Sequence, residues 1–400
     1  MKRWPTKPIE EIAELYGGST PSRDSPAFWG GDIYWVTPTD LPMPDEGISV
    51  VSKTKDRITQ AGLDNSSATV VPKGTVLFSS RATIGKVAVA DMPLTTNQGF
   101  ANFVPHSEVT SRFLAYALWF HREDIARLSG STTFKEVSRS TLRKYHLPVP
   151  PLVEQERIVK LLDEADELRK QRTQADHRTA EFIPALFHEM FGDPDDNLRG
   201  WARCPVSSFV EELHGGRSVN PAGAEEAAGR FRVLKISAVT WGEFNPEESK
   251  PVPAIYEPPE SHFVRAGDLL FSRANTTELV AATSYVFDTP PNLLLPDKLW
   301  RFVWKQPQVV EPLFVWWLFQ APSVRRELGQ RATGTGGSMK NISKPKVMSL
   351  EVPLPPLPLQ KKFSSRATEI RAVQAEQSAS RRRLDELFQS MLHRAFNGEL

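Results

Sequence analysis

Residues Thr133–Asp193 read TFKEVSRSTLRKYHLPVPPLVEQERIVKLLDEADELRKQRTQADHRTAEFIPALFHEMFGD, and the stretch Ser338–Gly398 repeats their pattern. The two copies align without a gap when the sequence is displaced by 205 positions. Identical residues then coincide along the stretch: Lys135 with Lys340, Ser138 with Ser343, Pro150 with Pro355, Gln155 with Gln360, His188 with His393 and Phe191 with Phe396. A match of this length indicates an internal duplication.

Each copy consists of a polar loop, a proline-rich strip (LPVPPL or VPLPPLPL) and a long charged segment with apolar residues at helical spacing. Heptad a and d positions hold Ile158, Leu161, Ala165, Leu168, Ala175, Phe182 and Leu186 in the first copy, and Phe363, Ile370, Val373, Leu384, Leu387 and Met391 in the second. The pattern predicts two long helices that pair as an intramolecular antiparallel coiled coil. Pro184 is expected to break the first helix near Ile183.

Two ordinary amphipathic helices, each packed on a separate core, are the alternative to a coiled coil. The helix faces carry many charged residues, as in DEADELRKQR. Faces this polar are poorly suited to line a wide core stripe, which favours the paired helices.

The composition indicates a globular chain with two or three domains. Its 400 residues are 40% hydrophobic and include 10 Trp and 22 Phe, enough for sizeable cores. The formal net charge is only +1, so the overall charge gives no argument for nucleic-acid binding. A nucleic-acid site would have to come from a local concentration of Lys and Arg.

The single cysteine, Cys204, excludes a disulfide framework and a cysteine-based zinc site, which is typical of a reducing cytosol. No segment is apolar over about eighteen residues, and the start MKRWPTKPIEE lacks the apolar region of a signal peptide. We therefore expect a cytoplasmic protein with no membrane association.

The globular parts of the chain are also duplicated. Residues 1–150 contain short strands separated by Gly and Pro, and after the turn-rich segment GDPDDNLRG the same plan starts again. LFSSRAT in the first half matches LFSRANT in the second, and FLAYALW matches LFVWWLF. The predicted fold is α+β, a tandem repeat of two mixed α/β domains, each followed by a long helix. The boundaries are 1–150, 151–197, 198–352 and 353–400.

The loops differ between the halves although the strands and helices agree, which indicates two related tasks on two ligands. Their Lys, Arg, Asn, Gln, Ser and Thr side chains suit contacts with DNA phosphates and base edges. In the first half the candidates are Thr20, Ser22, Arg23, Thr37, Thr39, Arg81, Thr83, Lys86, Asn97, Gln98, Thr133 and Lys135. In the second half they are Arg217, Lys235, Arg273, Asn275, Thr276, Lys298, Lys340 and Asn341.

For each candidate the alternative is an ordinary solvated loop residue. Arg81 and Arg273 recur in both halves, which favours a shared phosphate contact or structural hydrogen bond. Asn97 and Gln98, which do not match Lys298 of the corresponding loop in the second half, are better candidates for sequence specificity.

GGSTPSR, IYWVTPTDL, LFSSRATIGKVAV, TTNQGF and PLVEQERIVKLLDEADELRKQR resemble the DNA-specificity subunit of type I restriction-modification systems. The likeness covers nearly the whole chain, and the Pro-Leu-x-x-Gln strip before each long helix is its most specific mark. The second half departs from the pattern, since LFSRANTTELVAAT lacks the Ile-Gly-Lys of the first.

The resemblance implies two target-recognition domains that each read half of a split double-stranded DNA site. It also implies that the helices dock two methyltransferase subunits and that a restriction-translocase subunit joins them, in a system of phage defence. S-adenosylmethionine would then belong to the methyltransferase, and ATP and Mg to the restriction partner. This chain would have no cofactor, no catalytic residue and no metal.

The motifs of the chain agree with a non-catalytic role. No Asn-Pro-Pro-Tyr-like adenine motif and no glycine-rich phosphate loop are present, and Pro296-Asp297 is not followed by the Glu-x-Lys of a nuclease. Two other functions stay open at this point. The proline-rich strips could bind an SH3-like domain in a scaffold that does not bind DNA, or catalytic residues could be spread over the loops.

Large apolar residues near the helix ends predict a partner-binding surface, because exposed apolar clusters in charged segments usually mark interfaces. These residues are Phe187, Met190, Phe191, Leu392 and Phe396. Their alternative role is to close the contact between the two helices.

Overall fold

The computed structural model describes residues 4–130, 135–219, 230–253, 255–334 and 339–400. The chain divides into two compact units: unit 1 comprises Met1–Ala175 and Gln377–Leu400, and unit 2 comprises Asp176–Glu376. Each unit therefore joins one half of the duplicated sequence to segments of both predicted long helices. Thr133, one of the predicted DNA-contacting residues, lies outside the described residues.

Unit 1 is built mainly from short strands. These are β1 (Thr6–Pro8), β2 (Ala13–Gly17), β3 (Trp29–Val36), β4 (Ile48–Val51), β5 (Asp56–Ile58), β6 (Val76–Ser79), β7 (Val87–Ala90), β8 (Thr95–Thr96), β9 (Phe100–Pro105) and β10 (His146–Pro148). The helices are α1 (Ile9–Ile12), α2 (Gln60–Asp64), α3 (Ser111–Phe120), α4 (Arg122–Arg127), α5 (Arg139–Arg143) and α6 (Leu152–Ala180). The last five residues of α6 belong to unit 2.

The core sheet of unit 1 has the strand order β2-β9-β6-β7-β4, and a second sheet has the order β5-β3-β8. β6 and β7 are antiparallel, as the two apolar runs joined by a polar connection predicted. α3 packs against both of these strands and buries every residue from Phe113 to Trp119. β1 pairs with β10, which ties the start of the unit to the proline-rich strip before α6.

Unit 2 begins with the end of α6 and with α7 (Phe182–Phe191). Its strands are β11 (Arg203–Pro205), β12 (Val210–Gly215), β13 (Arg232–Leu234), β14 (Ser249–Pro251), β15 (Leu269–Ser272), β16 (Ala274–Asn275), β17 (Thr283–Tyr285), β18 (Leu293–Leu294), β19 (Leu299–Trp304), β20 (Lys340–Asn341) and β21 (Glu351–Pro353). The other helices are α8 (Pro312–Gln320), α9 (Pro322–Arg331), α10 (Lys344–Met348) and α11 (Leu357–Phe396), whose second half belongs to unit 1.

Unit 2 repeats the architecture of unit 1. Its core sheet β12-β19-β15-β17 corresponds to β2-β9-β6-β7, and its second sheet β14-β13-β18 corresponds to β5-β3-β8. Both second sheets contain a parallel pair, β3 with β8 and β13 with β18. β11 pairs with β21 as β1 pairs with β10. The predicted tandem repeat of two mixed α/β domains is confirmed.

The first long helix is interrupted close to the predicted position. α6 ends at Ala180, and α7 begins after the single turn residue Glu181. Pro184 has no N–H to donate to the Ala180 carbonyl, and its ring crowds that oxygen, so the helical hydrogen bonds cannot continue through it. α11 continues without interruption over its whole length, as predicted.

In unit 1 the direction of α6 follows from its contacts with α3. Thr110 N, at the start of α3, donates to Gln155 Oε1 at 2.9 Å. Further along α3, Tyr116 Oη donates to Asp163 Oδ1 at 2.7 Å. Residue numbers rise together on both helices, so α3 and α6 run in the same direction.

α11 runs the opposite way in unit 1. Phe113 of α3 packs on Phe396, with ring centroids 5.4 Å apart, and Trp119 packs on Phe388 at 5.7 Å. Residue numbers rise on α3 while they fall on α11. The part of α6 in unit 1 is therefore antiparallel to the second half of α11, and an ion pair of Arg169 Nε with Asp385 Oδ1 at 2.7 Å joins them.

The same arrangement recurs in unit 2. Gln374 of α11 donates from Nε2 to the Thr179 carbonyl at 2.7 Å. Further along the chain from Thr179, Phe191 of α7 packs on Phe363 of α11, with ring centroids 5.5 Å apart. Residue numbers again rise on one segment as they fall on the other, which confirms the predicted antiparallel pairing.

The buried stripe of the helices differs from the predicted heptad seam. On α6 the buried residues are Gln155, Ile158, Leu162 and Asp166, and the two aliphatic side chains belong to the core of unit 1. Leu168, a predicted seam residue, is exposed. The seam assignment is corrected, because each helix turns its apolar side towards a globular core as well as towards its partner helix.

The proline-rich strips are structural parts of the units. Pro148 pairs with Thr6 in β10, and Pro353 pairs with Arg203 in β21. Leu147, Val149 and Pro150, within the first strip, are buried. The interpretation of the strips as ligands for an SH3-like domain is not supported, because such a ligand must be exposed along its length.

Burial also corrects the predicted partner-binding surface. Phe187 and Phe191 lie in the core of unit 2, with Met190 packed against it, and Leu392 and Phe396 lie in the core of unit 1. Phe187, for example, stacks on Phe314 with centroids 5.8 Å apart. These side chains therefore pack into or against the cores. The alternative role, closure of the contact between the two helices, is seen for Phe187 and Phe191, whose rings each lie 5.5 Å from the ring of Phe363.

Candidate nucleic-acid interface

One edge of the core sheet of unit 1 collects most of the predicted loop residues. β2 and β6 both run antiparallel to β9, so the two strands end at the edge where β9 begins. Gly17 of β2 pairs there with Ala101, and Ser79 of β6 pairs with Phe100. The loops that follow β2, β3, β6 and β8 meet at this edge, which we call rim 1 (residues 18–23, 37–41, 80–86 and 96–99, with 135–137).

Gly18 allows two loops of rim 1 to approach each other closely. A Cβ atom at this position would overlap the Asn97 carbonyl oxygen. Ser19 N donates to the Thr96 carbonyl at 2.9 Å, and Thr20 Oγ1 donates to Gln98 Oε1. The predicted residues Thr20, Asn97 and Gln98 are thus brought together, with the Gln98 side chain exposed.

Arg81 and Lys135 also come together in rim 1. Arg81 forms a backbone bridge with Glu136, and its Nε lies 2.7 Å from Glu136 Oε1. Ala82 N donates to the Lys135 carbonyl at 3.1 Å. Both basic side chains are exposed, while the Thr83 carbonyl accepts a hydrogen bond from Ser79 Oγ at 2.6 Å.

Lys86 has a different place from the one predicted for it. Its side chain is buried, and its Nζ donates to the carbonyls of Pro38 at 2.7 Å and Leu41 at 3.0 Å. In the same loop Asp40 Oδ2 accepts from Thr37 N at 2.7 Å, and Thr37 Oγ1 lies 2.7 Å from Thr39 Oγ1. Lys86 therefore holds in position the loop that carries the predicted residues Thr37 and Thr39.

Arg23 lies on an aromatic surface beside rim 1. Its guanidinium carbon is 3.8 Å from the ring centroid of Trp29 and 5.0 Å from that of Trp35, and it forms an ion pair with Asp56 at 3.0 Å. The Ser22 carbonyl accepts from Trp29 Nε1 at 3.0 Å. Stacking on an indole fixes the plane of the arginine side chain while leaving its edge exposed.

The corresponding edge of unit 2 carries rim 2 (residues 216–218, 235–240, 273–276 and 296–298, with 340–342). A Cβ atom at Gly216 would overlap the Leu295 carbonyl oxygen, just as a Cβ atom at Gly18 would overlap the Asn97 carbonyl oxygen in unit 1. Ser218 Oγ donates to Asp297 Oδ1, and Arg273 Nη2 lies 3.5 Å from Asp297 Oδ2. Rim 2 therefore places a carboxylate where rim 1 has the amide of Gln98.

The remaining predicted residues of unit 2 lie on or beside rim 2. Asn275 pairs with Lys340 between β16 and β20, and its Nδ2 donates to Thr240 Oγ1 at 3.4 Å. Asn341 exchanges backbone hydrogen bonds with Thr333. The other members are Arg217, Thr276 and Lys298, the first two exposed and the third half-buried.

Lys235 is engaged with an acidic partner. Its Nζ lies 3.5 Å from Glu248 Oε2, which also accepts from Ser237 Oγ at 2.6 Å. The Ser237 hydrogen bond and the Lys235 charge hold the pKa of the Glu248 carboxyl below its usual value. Lys235 thus contributes a paired charge rather than a free one.

A histidine pair adjoins rim 2. The rings of His214 and His262 are 6.2 Å apart. Burial lowers the pKa of His262, and the nearby charges of His214, Arg301 and Arg217 lower it further. The His262 ring is therefore expected to be neutral near pH 7.

The structure adds three residues that the sequence analysis did not select. The Arg139 guanidinium lies against Gly17, at the end of β2, and Lys344 Nζ lies 5.9 Å from the ring of Trp300, which pairs with Gly215 at the end of β12. Asp297 is the third, as part of rim 2. The repeat itself could have identified Arg139 and Lys344, since they are equivalent under the displacement of 205 positions.

In the part of the chain that the structure describes, no group of three or more His, Cys, Asp and Glu side chains could hold a metal ion. Over the same residues, none of the helices is both long and apolar enough to cross a membrane. The described features that remain are two rims of polar side chains, each at the edge of a core sheet.

Parts of the chain that carry these rims are similar to known proteins. Residues 1–175 match the family model described as the type I restriction modification DNA specificity domain. A further match extends over both halves: the type I restriction enzyme EcoKI specificity subunit of Escherichia coli is 25% identical over 343 residues, which are 80% of this chain and 73% of the relative. The chain is similar to type I restriction specificity subunits over most of its length.

Other type I specificity subunits match about half of the chain. The MjaIX specificity subunit of Methanocaldococcus jannaschii is 38% identical over 194 residues, which are 48% of this chain and 44% of the relative. The EcoR124I/EcoR124II specificity subunit of Escherichia coli is 30% identical over 175 residues, 42% of each chain. The alignments with these two relatives span less than half of their length.

Solved structures show the same fold over the whole chain. A chain from a study of complex assembly and conformational transition of the type I R-M system matches with a TM-score of 0.63 at 17% identity, covering 100% of this chain and 99% of the other. The S subunit of a type I system from M. genitalium matches with a TM-score of 0.58 at 14% identity, covering 98% and 96%. The tandem fold is therefore that of specificity subunits.

Proposed function

We propose that this chain is the DNA-recognition subunit of a type I restriction-modification complex, in which each unit reads one half of a bipartite double-stranded target. The observation that carries the proposal is the pair of rims. They stand on equivalent strand ends and share Gly18 with Gly216 and Arg81 with Arg273. The side chains between these fixed points differ, as two different half-sites require.

In unit 1 the proposed base readers are Asn97 and Gln98, oriented by Thr20. Amide side chains donate to N7 and accept from N6 of adenine in a bidentate contact, so rim 1 favours an adenine-containing half-site. In unit 2 Asp297 and Lys298 occupy the matching loop. A carboxylate accepts from the cytosine amino group and lysine donates to guanine, so rim 2 favours a G·C pair.

The chemistry of modification and cleavage is assigned to partner subunits. A methyltransferase would supply the S-adenosylmethionine site, and a restriction-translocase subunit would supply the ATP and Mg sites. The proposal for this chain rests on its similarity to type I specificity subunits and on rims made of hydrogen-bonding and basic side chains. Purified alone with labelled S-adenosylmethionine and target DNA, the chain should show no methyl transfer, whereas turnover would overturn this assignment.

The docking surface for methyltransferase is proposed to be a repeated pair of exposed apolar side chains on the long helices. In unit 1, Leu168 and Leu387 are each 54% exposed, and in unit 2, Val373 and Phe182 are 52% and 51% exposed. The displacement of 205 positions maps Leu168 onto Val373 and Phe182 onto Leu387. Contiguous exposed apolar patches mark interfaces, and the equivalence of the two pairs favours two copies of one partner.

Co-purification with the methyltransferase tests this surface. Leu168→Asp with Leu387→Asp should remove one partner copy, and adding Phe182→Asp with Val373→Asp should remove the second, as native mass spectrometry would show. Val153→Asp is a matched control, because Val153 is exposed near the start of α6 but its equivalent is Pro358. Unchanged stoichiometry in folded variants would contradict the assignment.

Selection from a library of randomised duplexes tests the recognition function itself. The full chain with its methyltransferase should enrich two short specific sequences separated by a spacer of fixed length and random composition. Enrichment of one continuous sequence, or of none, would contradict a bipartite reader. The same library with the methyltransferase alone is the control for sequences that the partner selects.

A further inference from the structure

The segment that begins with the last three residues of each rim concentrates positive charge. Residues 135–145 carry Lys135, Arg139, Arg143 and Lys144 against one acidic residue, Glu136. The equivalent residues 340–350 carry Lys340, Lys344 and Lys346 and no acidic residue. Each segment therefore has a formal charge of +3, although the whole chain has only +1. We call these segments ledge 1 and ledge 2.

Each ledge is attached to its rim by the backbone. In unit 1, Val137 N donates to the Ser80 carbonyl at 3.0 Å, beside the bridge between Arg81 and Glu136. In unit 2, Ile342 N donates to the Arg273 carbonyl at 2.9 Å. Val137 and Ile342 are equivalent under the displacement of 205 positions. The basic side chains of the ledges are thus held next to the loops proposed to read bases.

Five of the seven basic side chains of the ledges are exposed, and Lys340 and Lys346 are half-buried. Arg139 is exposed and extends across the end of β2, where it lies against Gly17. Lys344 is exposed, and its Nζ lies 3.6 Å from Glu212 of β12 and 5.9 Å from the ring centroid of Trp300. Lys346 is held by the Arg331 carbonyl at 2.7 Å and is the least free of the set.

We propose that the two ledges are the phosphate-binding surfaces of the units and contact the DNA backbone without reading sequence. This inference rests on the proposed DNA-recognition function. The ledges repeat in charge and attachment while the rims differ, so they cannot distinguish the two half-sites. Contacts to phosphates position a protein on the duplex and supply most of its salt-dependent affinity, which requires basic groups placed beside the base readers.

The test measures DNA affinity against salt concentration for the full chain with its methyltransferase. The variants are Lys135→Ala with Arg139→Ala on ledge 1 and Lys340→Ala with Lys344→Ala on ledge 2. Each lost phosphate contact should reduce the slope of log affinity against log salt by about 0.9. Affinity for target and non-target duplexes should fall by the same factor, and the preferred half-sites should not change.

Basic residues at the opposite ends of β6 and β15 from the rims provide matched controls. Lys73 precedes β6 and Arg265 precedes β15, whereas Arg81 and Arg273 follow these strands, so the controls lie at the opposite ends. Both control side chains are exposed, and Lys73→Ala and Arg265→Ala should leave the salt slope unchanged. Arg139→Lys keeps the charge and should restore the slope, which separates a phosphate contact from a structural role of the guanidinium.

Each outcome of this test has a defined meaning. Folded ledge variants with the slope of the original protein would overturn the inference. A change of preferred half-site with an unchanged slope would also overturn it, because the residues would then read bases. Failure of the original protein to bind any duplex would instead count against the proposed recognition function, so the two failures can be told apart.

Discussion

Gln155 Oε1 accepts a hydrogen bond from Thr110 N at 2.9 Å, so the first turn of the long helix α6 holds the start of α3. Nε2 of the same fully buried side chain donates to the carbonyls of Glu108 at 2.8 Å and Pro150 at 2.9 Å. Unit 2 repeats the relationship, since Gln360 accepts from Glu311 N at 2.9 Å. The glutamine of the Pro-Leu-x-x-Gln strip therefore joins each globular part to its helix.

Replacing this glutamine by an apolar residue should destabilise its unit. Gln155→Leu leaves three backbone groups without their partner, and each unsatisfied buried group costs roughly 1 to 3 kcal/mol. We expect the unfolding midpoint to fall by roughly 6 to 12 °C, for about 3 kcal/mol in a domain of this size. Thermal unfolding followed by circular dichroism measures it. Gln171→Leu, on the exposed side of α6, is the control and should change the midpoint little.

Charge substitution in the helix ends should prevent folding rather than only partner binding. Phe396 packs on Phe113 and stacks on Phe120 with centroids 5.1 Å apart, so Phe396→Asp buries an unpaired charge. We expect loss of soluble protein or of the folded circular dichroism spectrum, and the same for Phe191→Asp in unit 2. Phe182→Asp, at a half-exposed position, should fold normally. A folded Phe396→Asp protein would show that this helix end is not part of the core.

Base recognition by rim 1 should be separable from rim 2. Asn97→Ala with Gln98→Ala should relax one half-site by roughly 1 to 3 kcal/mol per lost bidentate contact and leave the other half unchanged. Binding to a panel of duplexes with single changes in each half-site measures both effects. Equal weakening across all sequences would mean that these residues contact phosphates or support the fold. Gln60→Ala, an exposed amide on α2, is the control.

The stability of unit 1 should decrease as the pH falls through the histidine range. Burial lowers the pKa of His121, which packs on Phe120 and lies 3.2 Å from Tyr145 Oη, although Asp124 partly offsets this. The unfolded chain then binds a proton at a pH where the folded chain does not, so stability falls from about pH 6.5 downwards. His121→Asn should reduce the difference in unfolding midpoint between pH 7.5 and pH 5.5. An unchanged difference would assign the effect to other groups.

The length of the helix pair should set the spacer between the half-sites. Four residues inserted after Arg172 and four after Gln377 lengthen each helix by about 6 Å, which is near two base-pair steps of DNA. Four residues are also about one turn of α-helix, so the helix faces keep nearly the same phase. The pairs Arg169 with Asp385 and Thr179 with Gln374 lie outside the inserted blocks and stay in register. The lengthened protein should prefer the same half-sites with a spacer one or two base pairs longer. Methylome mapping of cells carrying the variant measures the spacer. An unchanged spacer would show that the length of the helix pair does not set it.

The sequence by itself determined the duplication, the two mixed α/β domains and the two long helices. These features depend on local or repeated patterns: a displacement that aligns Gln155 with Gln360, an apolar period and a proline that stops α6. Such signals act over a few residues or recur at a fixed distance. They can be recognised without knowing which residues pack together in the folded protein.

Only the tertiary structure decided which side chains are free. Periodicity shows which residues share a helix face, but Phe396 and Leu387 are both apolar on one helix, and only contacts with α3 bury the first and leave the second exposed. In the same way, Lys86 is committed to the carbonyls of Pro38 and Leu41, distant in sequence. Burial and hydrogen bonding depend on neighbours that the fold brings together, so a sequence pattern cannot assign them.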